Sequence, residues 1–350
     1  MNDKRPIIGI SVGDPGGIGP EVTVKALRHA ELYDECRPLA IGGADILKDA
    51  VRLSGLDLAV NAVNAPGEGR YAPGAVDVLD LRVLPLSGVR YKTVSAAQGE
   101  ASFVYVAKNI ELALAGAIQA TVTGPINKGA VNAAGRHYAG HTEIYAELTK
   151  TREYAMMLAD GNFRVAHVST HVSLREACDR VTKARVLQVI ELSHDALAAL
   201  GVGEPRIGVA GLNPHCGEGG LFGDEEARAI APAIEAARAG GMNVAGPVPP
   251  DTVFSKMAGG MFDLVVAMYH DQGHIPMKLK GFVYDEATGL WGSVAGVNVT
   301  LGLPIVRVSV DHGTAFEIAG EGKANEQSMK DAIELAARLA KTRGAPMRAC

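Results

Sequence analysis

Cysteine, clustered cations and long apolar runs are all scarce in this 350-residue chain, and each scarcity removes a class of protein. Only four cysteines occur, Cys36, Cys178, Cys216 and Cys350, and no two of them form a CxxC pair. In a reducing compartment that spacing favours free thiols over a disulfide framework or a thiolate zinc site. Cys216, beside His215, reads first as a small buried filler. No run of lysine and arginine appears and the net charge is -5, which argues against a nucleic-acid groove, because phosphate-backbone affinity rests on clustered cations. No apolar run reaches the length of a membrane span, and the charged segment Met1 to Pro6 leads straight into an apolar strand without a secretory core. The expectation is a globular cytoplasmic protein with a small-molecule partner, and neither nucleic acid nor membrane.

Apolar residues are plentiful, 47% against 21% charged, enough to bury a large core in a chain long enough for two domains. Short β-type runs at Pro6–Val12, Pro38–Ile41, Ala120–Thr123, Arg164–Thr170, Arg206–Ala210, Leu264–Met268 and Ile305–Val310 alternate with longer helical stretches. That alternation predicts an α/β fold with a mostly parallel sheet. Helices are clearest at Ala184–Leu200, closed by Gly201, and at Ser328–Lys341, where Ser328 with Asp331 resembles a capping box. The Gly- and Pro-rich stretch Asn61–Lys92 reads as a surface excursion with short strands. No repeat or polar linker marks a domain boundary.

Three histidines stand directly after predicted strands: His171 in Ser-Thr-His, His215 in Asn-Pro-His-Cys-Gly-Glu and His270 in Tyr-His-Asp-Gln-Gly. Strand carboxyl ends face the ligand crevice of open parallel sheets, so three imidazoles there can converge on one ion. Three nitrogen ligands leave an open coordination position, as at a catalytic metal. Singly, each histidine reads as a hydrogen-bonded core or turn residue. His167, inside a strand, reads as a core histidine, and His274 lies beyond the turn. Glu218 and Asp271 can orient an imidazole or cap a turn, with the cap favoured for Glu218.

Two glycine-rich loops follow strands. Gly13-Asp-Pro-Gly-Gly-Ile-Gly-Pro-Glu21 lacks the GxGxxG order and the P-loop lysine, and Glu21 disfavours a phosphate on the helix start, so a tight turn and a ligand site remain equally open. The second loop runs from Ser309 to Asn325. Thr123-Gly-Pro-Ile-Asn-Lys128 and Gly140-His-Thr-Glu143 add Lys128, His141 and Thr142 as polar groups able to face a crevice, with helix capping a serious alternative for Asn127 and Thr142.

Taken together, GDPGGIGPE (13–21), TGPINK (123–128), GHTE (140–143), STH (169–171), LNPHCGEGGLFGDEE (212–226), PPDTVF (249–254), AMYHDQGHIPMK (267–278) and VNVTLGLP with SVDHGTAFEIAG resemble the 4-hydroxythreonine-4-phosphate dehydrogenase family, including its D-threonate/D-erythronate 4-phosphate branch. The resemblance spans nearly the whole chain. The 312–325 loop also looks like the adenosine-binding loop of isocitrate and isopropylmalate dehydrogenases, which implies their two-domain, non-Rossmann α/β fold with a central cleft. It implies an NAD-binding domain at 1–125 plus 300–350 and a metal, substrate and dimerisation domain at 126–299.

On matching positions the resemblance implies one divalent metal (Zn, Mg, Mn or Co) on His171, His215 and His270, in a site shared between the subunits of a homodimer. It implies substrate contacts from His141, Thr142, Lys278, Asn298 and Arg307. NAD or NADP would meet Gly13, Asp14, Gly19, His312, Gly313, Thr314, Ala315 and Asn325. Lys278 and Arg307 suit a phosphate and a carboxylate. The implied reaction is oxidation, with decarboxylation, of 4-phosphooxy-L-threonine in pyridoxal 5'-phosphate synthesis, with Asp271 or Lys278 as the base. The alternative is oxidation of D-threonate or D-erythronate 4-phosphate in sugar-acid catabolism. The segment Val283–Ala295, with the only tryptophan, Trp291, replaces a shorter turn and bears on substrate choice. A metal-dependent hydrolase or a non-catalytic metabolite-binding protein would be the competing classes.

Overall fold

The computed structural model describes residues 3–286, 290–294 and 296–342. Cys350 and part of the Val283–Ala295 segment (287–289 and Ala295) therefore lie outside the described residues. Among the described residues the strands are, in chain order, β1 Ile7–Ser11, β2 Arg37–Gly42, β3 Ala59–Val63, β4 Ala75–Asp80, β5 Ala120–Thr123, β6 Ala155–Asp160, β7 Phe163–His167, β8 Arg206–Ala210, β9 Asn243–Val248, β10 Leu264–Ala267, β11 Phe282–Asp285, β12 Leu290–Val294, β13 Val297–Leu301 and β14 Arg307–Val310. Among described residues the chain divides into two compact units. The first takes in the residues up to Arg152, Ser293–Val297 and those from Leu303 onward; the second takes in Glu153–Gly292 and Asn298–Gly302.

In the first unit the strand order is β3-β4-β2-β1-β5-β14, every neighbour parallel. Parallel strands covered on both faces read as continuous apolar runs, and β1 (Ile-Ile-Gly-Ile-Ser) is buried at every position. The Asn61–Lys92 stretch is no mere surface excursion, since β4 is an interior strand between β2 and β3. What the local pattern hides is Asp77. Buried in β4, it accepts hydrogen bonds from Asn61 Nδ2 (2.6 Å), Arg70 N (3.0 Å) and Tyr71 N (2.7 Å), so a charge in an apolar run is satisfied by the loop that encloses it.

Residues 126–152 belong to this first unit, although 126 was the expected start of the second domain. The reason is packing: Ile144 and Tyr145, on helix His141–Leu148, are fully buried against Phe103, Val106 and Ile110 of helix Ala96–Leu114.

In the second unit the order is β13-β6-β7-β10-β8-β9. Strands β7, β10, β8 and β9 run parallel, and β6 pairs antiparallel with β7. Central strand β10 (Leu-Val-Val-Ala) is buried throughout and packs with Val165, Phe262, Met257 and Met277 in one apolar cluster. β11 and β12 form a separate two-stranded ribbon.

Helix Lys183–Ala199 starts where Thr182 Oγ1 accepts from Arg185 N and ends with Gly201 at φ 82°, the left-handed closure that glycine allows. The last helix, Gln327–Thr342, corrects the capping-box expectation. Ser328 is buried, donating to Gly296 O (2.8 Å) and accepting from Asp311 N (3.2 Å), while Asn325 Oδ1 takes the helix-start amide of Gln327 (2.8 Å).

Candidate metal, substrate and cofactor sites

The parallel register sets the carboxyl ends of β7, β10 and β8 side by side, with β10 in the middle. His171, His270 and His215 follow these three ends in that order. His171 sits in the turn before helix Leu174–Asp179, which Ser173 caps through its hydroxyl to Glu176 N (3.2 Å). His270 opens helix His270–Gly281. His215 begins a left-handed backbone run, His215, Cys216, Gly217, Glu218 and Gly219, with φ between 43° and 81°. For the three that are not glycine this conformation is strained, a feature that clusters at functional sites. Glu218 is exposed in that run.

The rings of His171 and His270 lie 5.8 Å apart, centre to centre. Two imidazoles bound to one ion through nitrogens about 2.1 Å from it leave ring centres about 5–6 Å apart, so this pair fits a shared divalent metal. Asp271 Oδ1 stands 2.7 Å from His270 Nδ1. A carboxylate only accepts, so Nδ1 carries the proton and Nε2 keeps the lone pair a metal needs. Among the described residues no group of three or more His, Cys, Asp or Glu side chains is gathered tightly enough to hold a metal.

His274, set aside on spacing, stacks on His270 with ring centres 3.6 Å apart and an 11° tilt, and its Nδ1 lies 2.9 Å from His270 O. One helical turn separates the two, which is the spacing that brings side chains together. His167 is indeed a core histidine, fully buried, with Nδ1 3.3 Å from Met156 O, and burial first of all lowers its pKa to about 3. Two further residues were missed by sequence reasoning. Buried Gln272 accepts from Met268 N (2.7 Å) and donates to Gly211 O (2.8 Å), and buried Glu226 accepts from Leu212 N and Asn213 N (both 2.8 Å).

In the first unit Arg307, 3% exposed on β14, donates to Thr123 Oγ1 (3.2 Å) and lies 5.4 Å from the ring centre of Tyr145. Burial lowers its pKa to about 10, so it stays cationic at neutral pH. His141 is held well below its ordinary pKa by burial and then by the charges of Arg307 and Lys128. The protein thus keeps a neutral imidazole beside two cations, a combination suited to an anionic ligand. Asn127 is a helix cap, its Oδ1 accepting from Ala130 N (2.9 Å), whereas Thr142 makes no capping bond. Lys278 and Asn298, the other expected substrate contacts, belong to the second unit.

The glycine loop at 13–21 is buried throughout. A Cβ on Gly13 would stand 2.3 Å from Pro125 O and one on Gly19 2.1 Å from Val12 O, so backbone packing alone demands glycine at both. The loop supports the other one: Ile18 N donates to Thr314 O (3.0 Å), and a Cβ on Gly17 would meet Thr314 Cβ at 2.9 Å. Glu21, buried, accepts from Ala324 N (2.5 Å) and Gly322 N (3.2 Å), while Lys25 Nζ, 3.3 Å from Glu21, donates to Gly322 O and Ala324 O (both 2.7 Å). The carboxylate that disfavoured a phosphate at this helix start is the clamp that shapes the 312–325 loop. At the tip of that loop Gly313 is exposed, with open space where a side chain would project, and Ala315 adopts φ 41°. A preformed loop with an accessible glycine fits a dinucleotide that approaches the backbone.

Asp14 gives a stability prediction. Burial raises its pKa from 3.8 to about 6, against the opposing pull of Gly16 N and Gln98. Below the unfolded value both states are protonated. As pH rises the unfolded chain ionises first, so stability falls between about pH 4 and pH 6 and stays low above. Asp14→Asn is expected to raise the unfolding free energy at pH 7.5 by up to about 3 kcal/mol and to change little at pH 4, as read from urea denaturation at the two pH values.

Fold and strand ends together define an α/β protein whose candidate ligand chemistry gathers at the carboxyl ends of parallel strands. The chain belongs to the pyridoxal phosphate biosynthetic protein PdxA family, whose model matches residues 34–336. It is 47% identical over 344 residues to D-threonate 4-phosphate dehydrogenase of Cupriavidus necator, covering 98% of this chain and 100% of that protein. The crystal structure of 4-hydroxythreonine-4-phosphate dehydrogenase from Klebsiella pneumoniae is 44% identical, with a TM-score of 0.86 over 97% of this chain and 99% of that one. That of the Burkholderia phymatum enzyme of the same name is 44% identical, with a TM-score of 0.83 over 96% and 99%. Among the described residues no helix is long and apolar enough to cross a membrane.

Proposed function

We propose that this chain is an NAD-dependent, divalent-metal-dependent dehydrogenase that oxidises, with decarboxylation, a four-carbon 3-hydroxy acid phosphorylated at C4. The observation that carries the reading is the His171–His270 pair at 5.8 Å, with Asp271 holding the His270 tautomer, on adjacent strand ends that also carry His215. When bound, the metal supplies Lewis acidity at the C3 hydroxyl and NAD accepts the C3 hydride.

The chain's own residues do the rest. Arg307 and Lys278 pair with the phosphate and carboxylate, and His141, Thr142 and Asn298 add hydrogen bonds. The hydroxyl proton goes either to Asp271, which also orients His270, or to Lys278 in its neutral form, with Arg307 then alone on the substrate's anions. The first unit holds NAD through His312–Ala315 and Asn325, with Gly13, Asp14 and Gly19 shaping the floor beneath. Once C3 is a ketone, the bond between C2 and the carboxylate breaks, carbon dioxide leaves, and the electron pair left on C2, delocalised onto the ketone oxygen, takes up a proton.

We further infer a homodimer whose second copy covers the histidine edge of the second unit. Large apolar side chains are exposed in the segments that carry the three histidines: Leu174, Leu221, Phe222, Ile275 and Leu279, the last 83% exposed. Large apolar side chains left exposed in segments that follow neighbouring strand ends suit an interface with a second copy.

The substrate is 4-phosphooxy-L-threonine on the strength of the family and of the enzymes named in the two crystal structures. A second reading, D-threonate 4-phosphate with hydroxyl for amine at C2, is favoured by the name of the Cupriavidus necator relative. Purified protein with NAD and Mn2+ or Zn2+ is given each compound in turn. NADH formation is expected with at least one of them, and the larger kcat/KM assigns the substrate. Hydrolysis without NAD, or no NADH from either, would refute the proposal.

A further inference from the structure

We propose that Gln272 and Glu226 are positioning residues for the metal site, forming a buried clasp that fixes the chain leading into His215; this rests on the metal reading above. Between them the two side chains hold three consecutive residues, Gln272 bonding Gly211 and Glu226 bonding Leu212 and Asn213. Gln272 reaches from the first turn of the His270 helix, accepting from Met268 N at the end of β10 and donating to Gly211 O just past β8. It thereby ties the strand end that bears His270 to the strand end that bears His215. Glu226 Oε1 takes the amides of Leu212 and Asn213, and its Oε2 takes Asn213 Nδ2 at 2.9 Å.

The left-handed run wraps around this carboxylate. A Cβ on Gly211 would stand 3.1 Å from Glu226 Oε1, and one on Gly217 3.0 Å from Oε2, so glycine on either side of His215 lets the loop close on Glu226. Gln272 is 8% and Glu226 5% exposed, and neither has a part in the proposed chemistry. With 211–213 anchored, the place of His215 relative to His270 depends on the run of 214–219 alone. Buried groups that orient ligands in this way commonly change metal affinity about 10–100-fold when removed.

The test is titration of the metal-free full-length protein with Co2+, read by its visible absorption, together with NAD binding and urea unfolding. Gln272→Leu and Glu226→Ala are expected to weaken Co2+ binding about 10–100-fold and to alter the ligand-field band, with NAD affinity unchanged. Gln272→Glu keeps the acceptor for Met268 N but, when ionised, sets an acceptor oxygen against Gly211 O in place of the amide donor, and is expected to weaken binding several-fold even if the leucine variant folds poorly. Glu226→Gln keeps an acceptor for both amides and should restore most of the affinity lost in Glu226→Ala. Wild-type affinity and spectrum in a cooperatively folded Gln272→Glu and Glu226→Ala would overturn the clasp. Absence of any Co2+ uptake by the wild-type chain would instead overturn the metal reading itself.

Discussion

His270→Ala is expected to lower kcat/KM for oxidation of the phosphorylated acid by about 10³-fold or more while leaving NAD affinity within about two-fold. A Lewis acid at the reacting hydroxyl is worth several kcal/mol, and each 1.36 kcal/mol is a factor of about ten in rate. The imidazole of His270 is held from several sides. Asp271 fixes its proton at Nδ1, His274 stacks on its face at 3.6 Å, and His171 stands 5.8 Å away. His171→Ala and His215→Ala should likewise abolish oxidation. NAD binding is the discriminating control, since the 312–325 loop is assembled within the first unit by Glu21, Lys25 and Thr314. Loss of NAD affinity together with activity, in steady-state kinetics and calorimetric NAD titration, would mean that the histidines are structural.

Arg307→Met should produce the second large effect, a fall in kcat/KM of roughly 10²–10³-fold, mostly through KM. A hydrogen-bonded ionic contact to phosphate or carboxylate is worth about 2–5 kcal/mol once its partner is left unpaired. Methionine keeps the length and apolar body of the stem, so the buried position beside Tyr145 stays filled. Arg307→Lys should recover only part of the loss, because an ammonium lacks the planar fork and the bond to Thr123 Oγ1 is set for a guanidinium. Product inhibition and isotherms with inorganic phosphate would check the assignment. Unchanged KM in a folded Arg307→Met would remove Arg307 from the substrate site.

Much of this was legible in residue order. Strands with continuous apolar runs, such as Leu264–Ala267 and Ile7–Ser11, announce themselves because a parallel sheet buries both faces. Strand β4 escaped because Asp77 breaks its run, and its three hydrogen-bond donors come from residues 61, 70 and 71, which no local window joins. The histidines were visible because strand ends face ligands. The groups that hold them were not: Gln272 looks like any polar helix residue until Gly211, 61 positions away, is brought beside it. Glu21 was read through its own helix, where it opposes an anion, whereas its partners are amides about 300 residues downstream. His274 was dismissed by its distance from the turn, yet one helical turn is the spacing that stacks it on His270.

The most direct test of the account is the metal dependence of NADH formation. Chelator-treated protein, given NAD and the better of the two phosphorylated acids, should form no NADH. Restoring one equivalent of Mn2+ or Zn2+ per chain should return full activity, with carbon dioxide released in equal amount to NADH. Undiminished NADH formation after complete metal removal would contradict the central claim.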